Sequence, residues 1–171
     1  AFSKAGVLLA PGVTTTGTPV AAGTPFPSTV ENYAAEVAYP KGYRAWTHVK
    51  SMVINPDHPL HEAFGGIHHL YANAKAMQGY RSGRFADGSV IVFDLLEANT
   101  ADNAVQEGKR KVVGVMVKNA RAYAATGGWG YEGFKGDSTS DRAVGANAPT
   151  AWHQCDIAQK DAGFVFSKAR P

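Results

Sequence analysis

This chain of 171 residues has very little thiol: its one cysteine is Cys155. A single cysteine excludes an intramolecular disulfide, a redox thiol pair and any cysteine-rich metal cluster. Four roles stay open for it: an inert buried thiol, a partner in an intermolecular disulfide, a metal ligand, or the remnant of a motif that once held more. Long apolar runs are missing too. The best, Ala5 to Ala10, falls far short of the roughly 18–20 residues that span a bilayer, so membrane insertion is not expected. Charge is sparse and spread out. Charged residues make up 18% and the formal net charge is +3. The densest basic cluster, Lys109-Arg110-Lys111, reads as a solvated turn or strand start, and with no RNA- or DNA-binding motif beside it a nucleic-acid partner is not expected. An initiator methionine is also absent. The chain begins Ala1-Phe2-Ser3, as after signal-peptide cleavage behind a small residue, although any trimmed chain looks the same; the expectation is an exported, periplasmic protein.

What is present is a globular composition. Apolar residues reach 44%, enough for one core in a chain of single-domain length. Gly12 to Ser28 is dominated by Thr, Gly, Pro and Ala and reads as an extended arm. Ser28-Thr29-Val30-Glu31 fits a capping box, with a short helix over Val30 to Ala38 stopped by Pro40. Residues 1–38 therefore form an arm with a short helix, and 39–171 the domain.

Within that domain, the β-branched and aromatic content of Tyr43 to Ile54 predicts a long strand, followed by a loop at Asn55-Pro56-Asp57-His58-Pro59. Gly66 to Tyr71 is a second strand. Asn73 is the N-cap of a helix over Ala74 to Ser82 that ends at Gly83. Asp87-Gly88 turns the chain into an apolar strand, Ser89 to Leu96. Lys111 to Lys118 is another strand, Asn119 to Ala125 a helical turn closed by Gly127-Gly128, and Trp129 to Phe134 the last strand. Several strands joined by short helices, without regular strand–helix alternation, predict an α+β fold, mostly antiparallel sheet with a few short helices.

The segments Tyr39-Pro40-Lys41-Gly42-Tyr43-Arg44-Ala45-Trp46, Gly65-Gly66-Ile67-His68-His69-Leu70-Tyr71-Ala72-Asn73, Gly79-Tyr80-Arg81-Ser82-Gly83-Arg84-Phe85 and Asp87-Gly88-Ser89-Val90-Ile91-Val92 follow one another in a telling order. Val115-Met116-Val117-Lys118, Gly127-Gly128-Trp129, Gln159-Lys160-Asp161 and Phe164-Val165-Phe166-Ser167 continue it. In order and spacing the chain resembles the cytochrome P-460 family over residues 39 to 170. The resemblance implies an exported, usually homodimeric, antiparallel-sheet protein that carries a c-type haem and oxidises hydroxylamine or binds nitric oxide. Covalent attachment in that family uses C-x-x-C-H, in which two thiols bond the haem and the histidine ligates iron.

The matching stretch here is Trp152-His153-Gln154-Cys155-Asp156. Trp152 stands in place of the first cysteine and Asp156 in place of the axial histidine, while Phe93 stands near the position of the lysine that some relatives bond to the porphyrin. The expectation is a haem-free pocket, with Phe93, Trp129 and Trp152 lining the space a cofactor would take. Trp129, Tyr131, Phe134, Trp46, Tyr71 and Phe93 are equally the composition of an ordinary core.

His68 and His69 are adjacent in a strand, so only one can face an interior pocket. With His153, Cys155 and Asp156 that histidine would form a mixed nitrogen, sulfur and oxygen set suited to copper, zinc or non-haem iron. Copper is favoured, and covalent haem is not expected. The same histidine pair is also what one surface residue and one hydrogen-bonded core residue look like. His58 and His61 in the preceding loop are further candidate ligands. The carboxylates Glu97, Glu132, Asp137 and Asp141 have no spacing that marks a general acid and base, the glycines around Trp129 make no phosphate loop, and no nucleophilic triad is readable from the chain.

The resulting expectation is a metal-binding protein for redox or small nitrogen-oxide or oxygen chemistry, acting on a small molecule or with a redox partner, as a homodimer. Two alternatives are a non-enzymatic ligand-binding or scaffold module with an empty pocket, and an atypical cytochrome holding haem through Cys155 alone.

Overall fold

Five strands form a single sheet whose order follows the chain, every neighbouring pair antiparallel. The computed structural model describes residues 36–143, 165 and 167–170. The strands are β1 (Thr47–Ile54), β2 (Gly66–Ala72), β3 (Val90–Ala101), β4 (Ala104–Lys118) and β5 (Trp129–Lys135). Two helices interrupt them, the one-turn α1 (His61–Phe64) and α2 (Ala74–Ser82). The α+β expectation of a mostly antiparallel sheet with few short helices is met.

Residue type explains most of these boundaries. Asn73 accepts a hydrogen bond from the Ala76 amide through Oδ1, which satisfies an open donor of the first turn, and Gly83 closes α2 in the left-handed region. The anticipated strand from Tyr43 begins later. Gly42, at φ +72°, leads into a 3-10 turn at Tyr43–Ala45, and β1 starts at Thr47. The largest departure lies between β3 and β4, where the expected strands stop at Leu96 and resume at Lys111. In the structure the pairing runs on to Ala101 and Ala104, through a two-residue turn at Asp102 and Asn103 with φ of 51° and 60°. Both residues are of the kind that tolerates this conformation. Of the helix expected over Val30 to Ala38, Glu36–Ala38 adopt no regular structure and the rest lies outside the described residues.

Alternation along the strands divides the sheet into two apolar faces. One, which we term the α2 face, gathers Val49, Leu70, Ala72, Ile91, Trp129 and Tyr131 under Ala76 of α2, with Val165 from the C-terminal segment in the same cluster. The opposite face gathers Val37, Tyr43, Val92, Val113, Val115, Tyr123 and Phe134. Both faces are covered near β3 and β4, so the central strands are apolar on both sides: Val92, Leu95, Val113 and Val115 are buried.

Candidate functional site

Strand alternation sends the adjacent histidines to opposite faces, and the register shows where each goes. His68 pairs with Leu95 and lies on the α2 face beside Leu70, while His69 pairs with Asp94 on the other. His68 is buried, 4% exposed, and its ring stacks on Phe93 with centroids 5.9 Å apart at 27°. Its Nε2 lies 2.6 Å from the carbonyl oxygen of Phe64 at the end of α1. A carbonyl only accepts, so Nε2 carries the proton and, in the neutral ring, Nδ1 keeps its lone pair. Burial lowers the His68 pKa, opposed by the hydrogen bond to Phe64 and assisted by Lys111 and His69. The ring is therefore neutral at neutral pH.

The other expected residues distribute as follows. Phe93 is half-buried on the α2 face, and Trp129 is fully buried there, edge-on to Phe85 at 5.5 Å with the Lys118 ammonium 5.2 Å from its ring centre. Trp152, His153, Cys155 and Asp156 lie outside the described residues. Among the described residues no group of three or more His, Cys, Asp and Glu side chains is placed to hold a metal. His58 Nδ1 accepts from the Leu60 amide, and His61 Nδ1 lies 3.2 Å from the Ile54 carbonyl. These contacts fix the local loop.

The opposite face carries polar clusters that residue spacing did not announce. Asp94 is 1% exposed, yet its carboxylate accepts from Tyr43 Oη at 2.6 Å, from Arg44 at 2.9 and 3.2 Å, and from Arg110 at 2.6 and 3.3 Å. Arg110 also pairs with Asp137. Tyr39, Gly42, Tyr43, Arg44 and Arg110 line an open cleft of about 250 Å³ above this carboxylate. Burial and the bond to Asp94 push the Tyr43 hydroxyl well above its usual range, so it remains a donor.

Further along the same face, Ser51 Oγ lies 2.9 Å from His48 Nε2 and 2.6 Å from His69 Nδ1, and His69 Nε2 lies 2.6 Å from Glu107 Oε1. In an unbroken strand His48 and Ser51, three apart, would point to opposite sides. A β-bulge between His48 and Lys50 realigns them. Glu107 comes from the part of β4 that was not anticipated as strand.

The fold thus defines a five-stranded antiparallel meander closed on one face by a short helix and a returning C-terminal segment. A family model for cytochrome P460 matches residues 40–167. The chain belongs to the cytochrome P460 family. No curated protein matches it.

The family normally binds haem, and the donor set decides how far that carries over. Two thioether bonds require two thiols, and this chain has one. Position 156 holds a carboxylate, not an imidazole. A haem attached in the family's manner does not fit these residues.

Proposed function

We propose that this protein is an exported, haem-free member of the cytochrome P460 family that holds one transition-metal ion, copper first among the candidates, on the α2 face. His68 supplies a nitrogen ligand, and His153, Cys155 and Asp156 complete the set. The observation that carries this reading is the fixed tautomer of His68. A ligating imidazole is commonly held by a hydrogen bond from its other nitrogen to a carbonyl or carboxylate, and the bond from Nε2 to Phe64 O leaves Nδ1 as the ligating atom.

Placement of the C-terminal segment supports the same reading. Val165 and Ala169 pack on the α2 face, and Ser167 Oγ lies 2.5 Å from Tyr80 Oη. Val165, Ser167 and Ala169, which lie about ten residues and more beyond Cys155 in sequence, are thus on the side of the sheet that carries His68. A mixed imidazole, thiolate and carboxylate set suits copper better than calcium or magnesium. A site of this kind would serve electron transfer or the binding of nitrogen oxides or oxygen.

The test pairs an absorption spectrum with elemental analysis of the intact protein, and of the His68→Ala and Cys155→Ser variants. Expected are about one copper per chain without a Soret band, and loss of the metal in both variants. A Soret band with stoichiometric iron overturns the reading, as does metal retained in both variants. Metal absent from the protein even after reconstitution would instead favour the ligand-binding module.

A further inference from the structure

The line from Arg170 to Glu107 on the face opposite His68 has a direction that donor chemistry alone determines. Arg170 Nη2 lies 3.0 Å from His48 Nδ1, and a guanidinium only donates, so His48 Nδ1 accepts and its neutral ring carries the proton on Nε2. That proton points at Ser51 Oγ, 2.9 Å away. At the other end Glu107 only accepts, so His69 Nε2 donates to it at 2.6 Å, and Nδ1 of the neutral ring accepts the Ser51 hydroxyl at 2.6 Å. Every proton in the line is thereby assigned.

A hydroxyl bonded to an imidazole that is itself oriented by a carboxylate is the arrangement that activates serine for attack on a carbonyl. Here the imidazole is used through Nδ1 toward serine and Nε2 toward the carboxylate. Either nitrogen of a neutral ring can play either part. Both links fall within the roughly 2.6–3.2 Å that a nucleophile and its base require. Ser51 is solvent-exposed and His69 half-buried, so a substrate can reach the hydroxyl. A divalent cation fits this cluster less well, because the Arg170 guanidinium sits on His48 and, among the described residues, two imidazoles converge on Ser51.

We propose that Ser51 is a nucleophile with His69 as its general base and Glu107 as the residue that positions His69, acting on small, unhindered carboxylic esters. Ser51 Oγ bonds to the acyl carbon as its proton passes to His69 Nδ1. The carbon–oxygen bond to the alcohol breaks, and the departing alkoxide takes that proton. Water then hydrolyses the acyl-serine by the same transfers, releasing the acid and restoring the hydroxyl. The His48 Nε2–H donates to Ser51 Oγ at 2.9 Å and so turns the hydroxyl proton toward His69 Nδ1. The site is an open strand surface with Val53 exposed on the same side, and among the described residues no wall encloses a long acyl chain, which sets the preference for short ones.

The experiment treats the intact protein with a small fluorophosphonate and, separately, with p-nitrophenyl acetate, and maps adducts by mass spectrometry. A single adduct is expected on Ser51, with acylation slowed by about 10²–10⁴-fold in His69→Gln and abolished in Ser51→Ala. In Glu107→Gln the maximal acylation rate should fall while the reagent concentration giving half that rate stays unchanged, since the Glu107 carboxylate bonds His69 and not Ser51 among the described residues. Unchanged melting temperatures in these surface variants exclude unfolding as the cause. Adducts on Ser51 no faster than on other hydroxyls, or a rate indifferent to His69→Gln, overturn the proposal. The readout does not involve the α2 face, so it succeeds or fails separately from the metal reading.

Discussion

Tyr43 Oη donates to Asp94 Oδ2 at 2.6 Å across 51 residues of sequence, tying the turn before β1 to the middle of β3. The same carboxylate holds Arg44 and Arg110, which makes it the electrostatic pivot of the face opposite α2.

The two arginines on Asp94 should differ sharply in worth. The Arg110 side chain is 12% exposed and that of Arg44 is 56% exposed. Asp94→Ala takes the acceptor from Tyr43 and leaves Arg110 with the exposed Asp137 as its partner, and breaking a buried pair from one side costs about 3–5 kcal/mol. Arg44→Ala removes a largely solvated partner worth about 0–1 kcal/mol. Urea denaturation of the two variants checks this ordering, and equal losses would show that Asp94 is not the pivot.

Gly66→Ala should be among the most damaging single-methyl substitutions in the chain. Gly66 starts β2 at φ +130°, and a Cβ there would sit 2.1 Å from the Leu96 carbonyl oxygen on the adjacent strand. The conformational strain alone amounts to about 1–3 kcal/mol, and the strands must also move apart. Thermal melting of Gly66→Ala beside Gly83→Ala, whose added methyl meets nothing within 4 Å, separates the clash from the strain of positive φ.

The pH dependence of stability should carry the mark of His68. Burial lowers its pKa in the folded state below the ordinary value of 6.5, so above that value both states are neutral and the group has no effect. As pH falls through 6.5 the unfolded chain takes up a proton that the folded one resists, and stability declines until the folded pKa is passed. Urea midpoints of the metal-free protein between pH 8 and pH 5 should fall on the acid side, and His68→Gln should flatten that fall. A fall of the same size in the variant would assign it to other groups.

Legibility followed burial. β2, α2, the start of β3, the end of β4 and β5 were readable because apolar residues recur there at strand spacing or caps flank a helical run. The arm of the β3–β4 hairpin was not. Its residues from Glu97 to Gln106 are exposed, so no apolar pattern marks them, and their pairing rests on backbone hydrogen bonds and the Asp102-Asn103 turn. A similar limit applied to Ser51, His69 and Glu107, which three strands contribute and no local spacing connects. The pair Asp102-Asn103 and the exposed stretch after it were the available signals.

By itself the sequence determined the class of fold, the family and the inability to form two thioethers, because these depend on residue identity, local periodicity and the count of cysteines. It also required His68 and His69 to part, since alternate residues of a strand face opposite ways. Only the tertiary structure decided which histidine joins Phe93 under the α2 side and which meets Ser51 and Glu107, because that depends on strand register and on one bulge at Val49. Register is set by the burial of whole faces, a property of the assembled sheet that no single segment carries.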